Sequence, residues 1–375
     1  MTIPQKTITR RGALAVGAGA VAGGLGLSGT ALAAAGRRLA RLTPVQQAGQ
    51  RVIFSYPGLT PPASLLDQIS AGEAGGVIFF GENITSLTQI AGVIQQLKAA
   101  HDASPVLVPL LLMTDQEGGI VRRLPGAPVL SEKQIGASAD PPQQAANAGA
   151  GAGRNLAGVG MNLNLAPVLD VYRQAGNFDD EFGRSYSMDP QVCATCGAAF
   201  IPVQQSLRVA ATAKHFPGLG AATVNQNTDL GPVTLTVPLA DLRSIDEVPF
   251  RSAIAAGVQL VMTSWAIYPA LDPKLPSGLS PTIVGGELRK RLQFNGVTIT
   301  DALEAGAIKS FGTPAQCGVL AARAGMDLLL ASARDVSEGQ DTVAALASAL
   351  ESHQLNPGQF NDALLRVIAL RGRLF

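Results

Sequence analysis

Two short stretches of this chain hold residue types that can do chemistry on a polar molecule. Lys214-His215-Phe216-Pro217-Gly218-Leu219-Gly220 sets a cation and an imidazole at the mouth of a glycine-proline turn. Further along, Gly296-Val297-Thr298-Ile299-Thr300-Asp301-Ala302-Leu303 ends an apolar run on a carboxylate. A carboxylate at a strand end can be held rigidly and kept ionised by nearby cations, here Lys214 or Arg184, or by backbone donors, as a nucleophile requires. Asp301 also fits the N-cap of a helix opening at Ala302-Leu303-Glu304. A lone histidine on an apolar strand is usually a core residue. The adjacent Lys214 and the Phe-Pro-Gly turn favour a binding role instead. Lys214 would also suit a lyase or isomerase that forms an imine.

Those side chains need elements to position them. Eight runs of continuous apolar character read as strands: 52–54, 77–80, 106–113, 161–166, 208–213, 259–263, 297–300 and 328–331. Continuous rather than alternating character suits strands covered on both faces, as in a parallel sheet wrapped by helices. Helix-like stretches separate them, at 84–100, 142–156, 191–207, 239–256, 285–294, 314–324 and 338–355. This alternation predicts an α/β fold, a single-domain (β/α)8 TIM barrel. A doubly wound open sheet is the alternative, but no G-x-G-x-x-G follows the first strand. Barrel sites form at the C-terminal strand ends. Glu82, Asp115, Asp170, Lys214 with His215, Ser264 with Trp265, and Asp301 each follow a strand in turn, and so converge on one rim.

The chain of 375 residues is 47% hydrophobic and 15% charged, which is enough to bury a large core and excludes a disordered protein. Its near-neutral charge argues for neither nucleic acid nor an anionic membrane surface. Residues 1–35 read as a twin-arginine signal peptide: Arg10-Arg11, a glycine- and alanine-rich apolar run, then Ala31, Ala33 and Ala35 suited to signal peptidase. The expected mature domain is 36–375, exported to the periplasm or beyond the cell, with no stable membrane anchor. Its expected partners in transit are the twin-arginine translocase and signal peptidase. Removing Lys6, Arg10 and Arg11 from 28 basic residues leaves 25 against 27 acidic ones, a slightly acidic product. Cys193-Ala-Thr-Cys196 has no second pair with which to bind zinc, so these thiols and Cys317 read as ordinary buried or surface cysteines. Acidic residues are dispersed, so neither a metal nor an organic cofactor is implied.

Several motifs together carry a family resemblance. Asp115-Gln-Glu-Gly-Gly-Ile-Val-Arg-Arg123 resembles the D-x-E-G-G-R-V-x-R signature of glycoside hydrolase family 3. Met161-Asn-Leu-Asn-Leu-Ala-Pro-Val-Leu-Asp170-Val resembles its N-x-x-x-A-P-V-x-D-V strand, and Arg184-Ser185-Tyr186 its R-S-F. The Lys-His-Phe-Pro-Gly stretch and the strand ending at Asp301, G-V-x-x-[ST]-D-x-L in that family, complete the likeness over about residues 45 to 335. The chain is most similar to the single-domain β-N-acetylhexosaminidase branch. The resemblance implies a TIM barrel that hydrolyses a terminal β-linked (N-acetyl)hexosamine or related sugar with retention, through a glycosyl ester on Asp301 as nucleophile. Asp115, Arg123, Arg184, Lys214 and His215 would bind the sugar, and the paired glycines would let backbone pass close to it. Asp170 would either touch substrate or hold basic side chains in place. Trp265 stands where the family usually has histidine, and would stack on the sugar or cover the core.

The likeness breaks at two places. Ile120 replaces the first arginine of the signature. In that branch the loop after K-H-F-P-G carries D-S-H, whose histidine is the general acid/base; here those positions are Asn225, Gln226 and Asn227. The only histidines are His101, His215 and His353, so none substitutes. Amides cannot donate and recover a proton, and general acid assistance is worth roughly 10²–10⁴-fold. Three outcomes stay open. Asp229 serves as the acid, its pKa raised by closure of a dry loop; or Glu304 or a residue of the 177–181 loop serves; or the barrel binds sugar without hydrolysing it.

Overall fold

A computed structural model of the chain describes residues 41–374. The expected signal segment, 1–35, lies outside the described residues. Eight parallel strands close into a barrel: β1 (Val52–Phe54), β2 (Gly76–Ile78), β3 (Leu111–Thr114), β4 (Leu163–Asn164), β5 (Ala210–Phe216), β6 (Leu260–Thr263), β7 (Val297–Ala302) and β8 (Leu328–Leu330). Each pairs with its sequence neighbour, and β8 pairs with β1 through Val52–Leu329 and Ile53–Leu330. Side chains alternate across a strand. Ile53, Ile78, Leu111, Met113, Leu260, Met262, Ile299 and Leu328 fill the barrel, whereas Phe54, Val77, Leu112 and Leu329 pack outward beneath the helices. Both faces are dry, which is why the strands read as unbroken apolar runs.

The strand ends depart from the sequence expectation in instructive ways. β3 starts at Leu111 and not at Val106. Pro109 has no N–H for a ladder, and the carbonyls of Val108 and Pro109 accept from the Arg371 guanidinium instead. β4 is two residues long because the flanking amides take over its pairing. Asn162 Oδ1 accepts from Leu112 N at 2.9 Å, and Asn164 Oδ1 from Gln116 N at 2.9 Å. β5 runs on through Phe216, so Lys214 and His215 lie within the strand rather than after it. The helix expected over 239–256 is three pieces, Leu239–Asp241, a π-helical turn Leu242–Asp246, and Glu247–Ala255. Pro249 donates no hydrogen bond and crowds the carbonyl of Ile245 four residues back. The helix expected over 285–294 is instead a π-helix at Thr282–Arg291, and it stops before Gln293, whose φ is 58°.

The N-terminal mouth of the barrel is closed. Val367, Leu370 and Leu374, on and just beyond the last helix (Pro357–Gly372), join the cluster of barrel-interior side chains. Below them Asp327, at the foot of β8, is fully buried. It accepts from Arg289 (2.5 Å), Arg366 (2.8 Å) and Thr298 N (2.8 Å). The two guanidiniums outweigh burial, and the Asp327 pKa falls below its ordinary value. Of the barrel's two mouths, the C-terminal one is open. Among the described residues no helix is long and apolar enough to cross a membrane. Cys193, Cys196 and Cys317 are free and buried.

Replacing Asp327 with alanine leaves Arg289 and Arg366 unpaired at a buried site. The expected loss is about 3–5 kcal/mol, read as a lower urea midpoint with an unchanged m-value.

Candidate active site

The open mouth holds a cavity of about 570 Å³. Its donor wall is built by three elements. After β3 the chain forms a hairpin, Gln116–Gly118 against Val121–Arg122, with Asp115 entering it and Arg123 leaving it. β5 delivers Lys214 and His215, joined by a cis peptide bond, and both line the cavity. The short helix Phe178–Glu181 and the turn after it bring Arg184.

One buried ion cluster ties these elements together. Lys214 Nζ lies 2.7 Å from Asp115 Oδ1 and 2.8 Å from Glu117 Oε1. Arg184 grips the same Glu117 with two bonds, Nε to Oε2 at 3.0 Å and Nη2 to Oε1 at 2.9 Å. Burial alone would push Glu117 up, but the charges of Arg184 and Lys214 hold it down at about 2. Burial likewise works against the charged form of Lys214, and Asp115 and Glu117 outweigh it, so its pKa rises. An ammonium fixed between two carboxylates is the wrong form for an imine-forming amine, so the lyase or isomerase reading loses its chemistry.

A second dyad sits beside the cluster. His215 Nδ1 bonds Asp170 Oδ2 at 2.7 Å. The other Asp170 oxygen accepts from His215 N (3.2 Å) and Leu219 N (2.6 Å). Asp170 is fully buried and absent from the cavity lining, so it holds the histidine and the turn rather than meeting a ligand. Burial lowers the His215 pKa, but Asp170 more than compensates and the net shift is upward. With Nδ1 committed, Nε2–H is the donor left for the cavity. The turn beyond it requires Gly220, where a Cβ would lie 2.1 Å from Val171 O. Lys214, Arg184 and His215 thus balance Asp115, Glu117 and Asp170. Two further buried carboxyls, Asp179 and Glu132, are pushed up chiefly by burial, Asp179 to about 7.

Asp301 faces this wall from the end of β7. It is half-buried, and its Oδ1 accepts from Ala302 N at 2.8 Å. The strand continues through Ala302, so Asp301 caps no helix. The expected cations are spent on Asp115 and Glu117, so Asp301 is the cavity's uncompensated carboxylate. Asp229 lines the same cavity from the long loop after β5. The residue is exposed, and its carboxylate accepts no hydrogen bond from the described residues. Burial of the carboxyl at the cavity lip and the Asp301 charge both raise its pKa. Such a pair can attack a carbon with one carboxylate and hand a proton to a leaving oxygen with the other.

Seven of the eight expected residues, Asp115, Arg123, Arg184, Lys214, His215, Asp229 and Asp301, meet in this one cavity. Trp265 does not. It is 1% exposed and its Nε1 donates to Ala302 O at 2.7 Å, so it braces β7 from within the core and has no face for a sugar. Ile120 points to solvent at the hairpin tip, 69% exposed. The paired glycines turn that hairpin against Leu130 and Ser131, not against a ligand. Arg123 lines the cavity with a buried Nε that has no partner. Glu117 of the Asp-Gln-Glu motif reads from the sequence as structural, and here it holds Lys214 and Arg184 without lining the cavity. The sequence reading missed Ser332 and Arg334, which the strand-end rule would have flagged after β8. Phe178 and Phe182 line the cavity too, and nothing in their local sequence marks them. Glu304 lines it as well, but both its oxygens are engaged by Ser332 Oγ, at 2.9 and 3.2 Å.

Comparison with known proteins agrees with the motifs. The sequence profile described as the Glycosyl hydrolase family 3 N terminal domain matches residues 47–370. A protein of Arthroderma benhamiae described as an uncharacterized secreted glycosyl hydrolase is 49% identical over 88% of this chain and 93% of its own length. The solved family 3 β-N-acetylglucosaminidase of a Paenibacillus species superposes with a TM-score of 0.84 at 34% identity, covering 89% of this chain and 63% of that one. The β-N-acetylhexosaminidase of Beutenbergia cavernae gives 0.81 at 35% identity, over 89% of this chain and 99% of that one.

Asp179 provides a pH test of the site's electrostatics. Both its oxygens are buried without a partner. Its pKa rises from 3.8 unfolded to about 7 folded, so the folded protein keeps a proton that the unfolded chain has lost. Its contribution is full below pH 3.8 and disappears as pH climbs through 7. Relative to wild type, Asp179→Asn should therefore gain stability between those two values, by up to ~1.4 kcal/mol per unit. Urea unfolding across that pH range measures it; a difference independent of pH would contradict the assignment.

Proposed function

The chain belongs to glycosyl hydrolase family 3 and is a glycosidase; from that premise we propose that it hydrolyses a terminal β-linked hexosamine or related sugar with retention, using Asp301 as nucleophile and Asp229 as acid/base. The observation that carries this reading is the pairing of an uncompensated carboxylate, Asp301, with a second carboxyl whose pKa is raised partly by that same charge.

In the first step an Asp301 oxygen attacks the anomeric carbon. The glycosidic C–O bond breaks, its electron pair goes to the leaving oxygen, and Asp229 supplies the proton. Esterification removes the Asp301 charge, and with it one of the forces raising the Asp229 pKa. Asp229 then becomes a better base as its task changes. It takes a proton from water, the water oxygen attacks the anomeric carbon, and Asp301 leaves as carboxylate. Asp115, Arg123, Arg184, Lys214 and His215 orient the sugar. Lys214 and His215 donate, Asp115 accepts with its free Oδ2, and Arg123 offers the unpaired Nε. The Paenibacillus and Beutenbergia enzymes, named for acetamido sugars, support a 2-acetamido substrate. The twin-arginine pattern in residues 1–35 and the Arthroderma relative described as secreted support export, with signal peptidase releasing a domain of 36–375 to the periplasm or exterior.

A panel of aryl β-N-acetylglucosaminides with leaving groups of graded acidity tests the assignment. Asp301→Asn should abolish turnover throughout. Asp229→Asn should cost roughly 10²–10⁴-fold with poor leaving groups and little with the best. Binding without turnover in the wild type, across the whole panel, would instead make the barrel a sugar-binding protein.

A further inference from the structure

The loop that carries Asp229 does not hang free over the cavity. It leaves β5 and docks on the segment that follows Asp301. Gly306 N donates to Asp229 O at 2.8 Å, and Ala307 N donates to Thr228 O at 2.9 Å. The acid-bearing backbone is therefore bonded to the 3₁₀ turn Gly306–Phe311, which begins shortly after the strand that carries Asp301.

The docking surface has no room for a side chain. A Cβ on Gly306 would fall 2.4 Å from both the carbonyl carbon and oxygen of Leu230, and 2.8 Å from Gly231 N. These are backbone atoms and cannot rotate aside. Thr228 is buried at this contact, whereas Leu230 on the other side of Asp229 is 83% exposed. At the near end the loop is pinned to the helix-turn beside Arg184, where Asn177 Nδ2 donates to Gly220 O at 2.7 Å. The loop is thus a strap anchored at its start, at Ile267 beyond Asp229 and at Gly306-Ala307, and the last of these contacts is the one next to Asp229.

We propose that Gly306 is a positioning residue for acid catalysis: its bare Cα and its amide seat the strap so that the Asp229 carboxyl reaches the leaving oxygen opposite Asp301. This inference rests on the reading of Asp229 as the acid/base. A proton donor works only within hydrogen-bond reach of the atom it protonates, and a misplacement of about 1 Å costs ~10²-fold. Gly306→Ala pushes the Leu230 backbone outward and takes Asp229 with it. Asp301, on the strand side of the same segment, stays in place.

The experiment compares wild type, Asp229→Asn, Gly306→Ala and Ala307→Pro on aryl β-N-acetylglucosaminides of graded leaving-group acidity, with thermal melting to count folded protein. Ala307→Pro removes one of the two docking N–H groups without adding an atom at Gly306, and decides the matter if Gly306→Ala does not fold. Both docking variants should lose ~10- to 100-fold in kcat/KM with the poorest leaving groups. With the best they should stay within about twofold, so the dependence steepens toward that of Asp229→Asn. A structural defect alone would lower every substrate equally. A steepened dependence in Asp229→Asn with wild-type dependence in both docking variants overturns the role of Gly306 and leaves Asp229 as the acid. An unchanged dependence in Asp229→Asn itself overturns the acid assignment, and the strap proposal falls with it.

Discussion

The Lys214 ammonium, buried between Asp115 and Glu117, is the contact on which the site depends. It joins the hairpin after β3 to β5, and through Glu117 it joins both to Arg184 in the loop after β4. Taking four charges out of water is costly, and their mutual attraction offsets that cost only when every partner is present and well placed. The cluster is therefore cooperative in a geometric sense: each member is held by at least one charge from another loop. Glu117 does not line the cavity, yet it is the one group that both Lys214 and Arg184 hold.

That division of labour sets the electrostatics of the cavity. The donor wall satisfies its own charges, through Asp115 and Glu117 on one side and Asp170 on the other. Asp301 is left across the cavity with one backbone amide and no cation, so its negative charge is felt by whatever stands opposite it. Asp229 lines the same cavity, and burial first and that charge second raise its pKa. Asp301 and Asp229 are thus coupled by the absence of a salt bridge rather than by its presence.

The two ends of the barrel carry different burdens. At the foot, Asp327 with Arg289 and Arg366, and Arg371 on the carbonyls of Val108 and Pro109, seal the interior beneath the last helix. At the mouth the polar groups are paired more loosely, and Arg123 keeps a buried Nε unpartnered in the cavity wall. Polar groups that would be a defect at the foot are usable at the mouth, where substrate or water can meet them. A (β/α)8 barrel separates these burdens by construction, since its loops at the C-terminal ends do not set the packing of its core.

Barrel, strand order and rim were readable in the chain because two-sided burial writes continuous apolar runs, and because polar residues at strand ends follow a period that needs no alignment. The motifs around Asp115, Lys214 and Asp301 were readable for the same reason: each is local. What could not be read was who pairs with whom. The alternatives for Asp301 and Trp265, helix cap or nucleophile and sugar platform or core brace, differ only in where a side chain points. The extension of β7 through Ala302 decided that Asp301 caps no helix, and the carbonyl of Ala302 decided that Trp265 braces the core. The docking of the Asp229 loop on Gly306 spans some eighty residues and leaves no local pattern, since it consists of backbone hydrogen bonds and a missing Cβ. Composition and periodicity specify which face of an element is buried; only closure of the barrel brings the loops of separate strands close enough for their charges to choose partners.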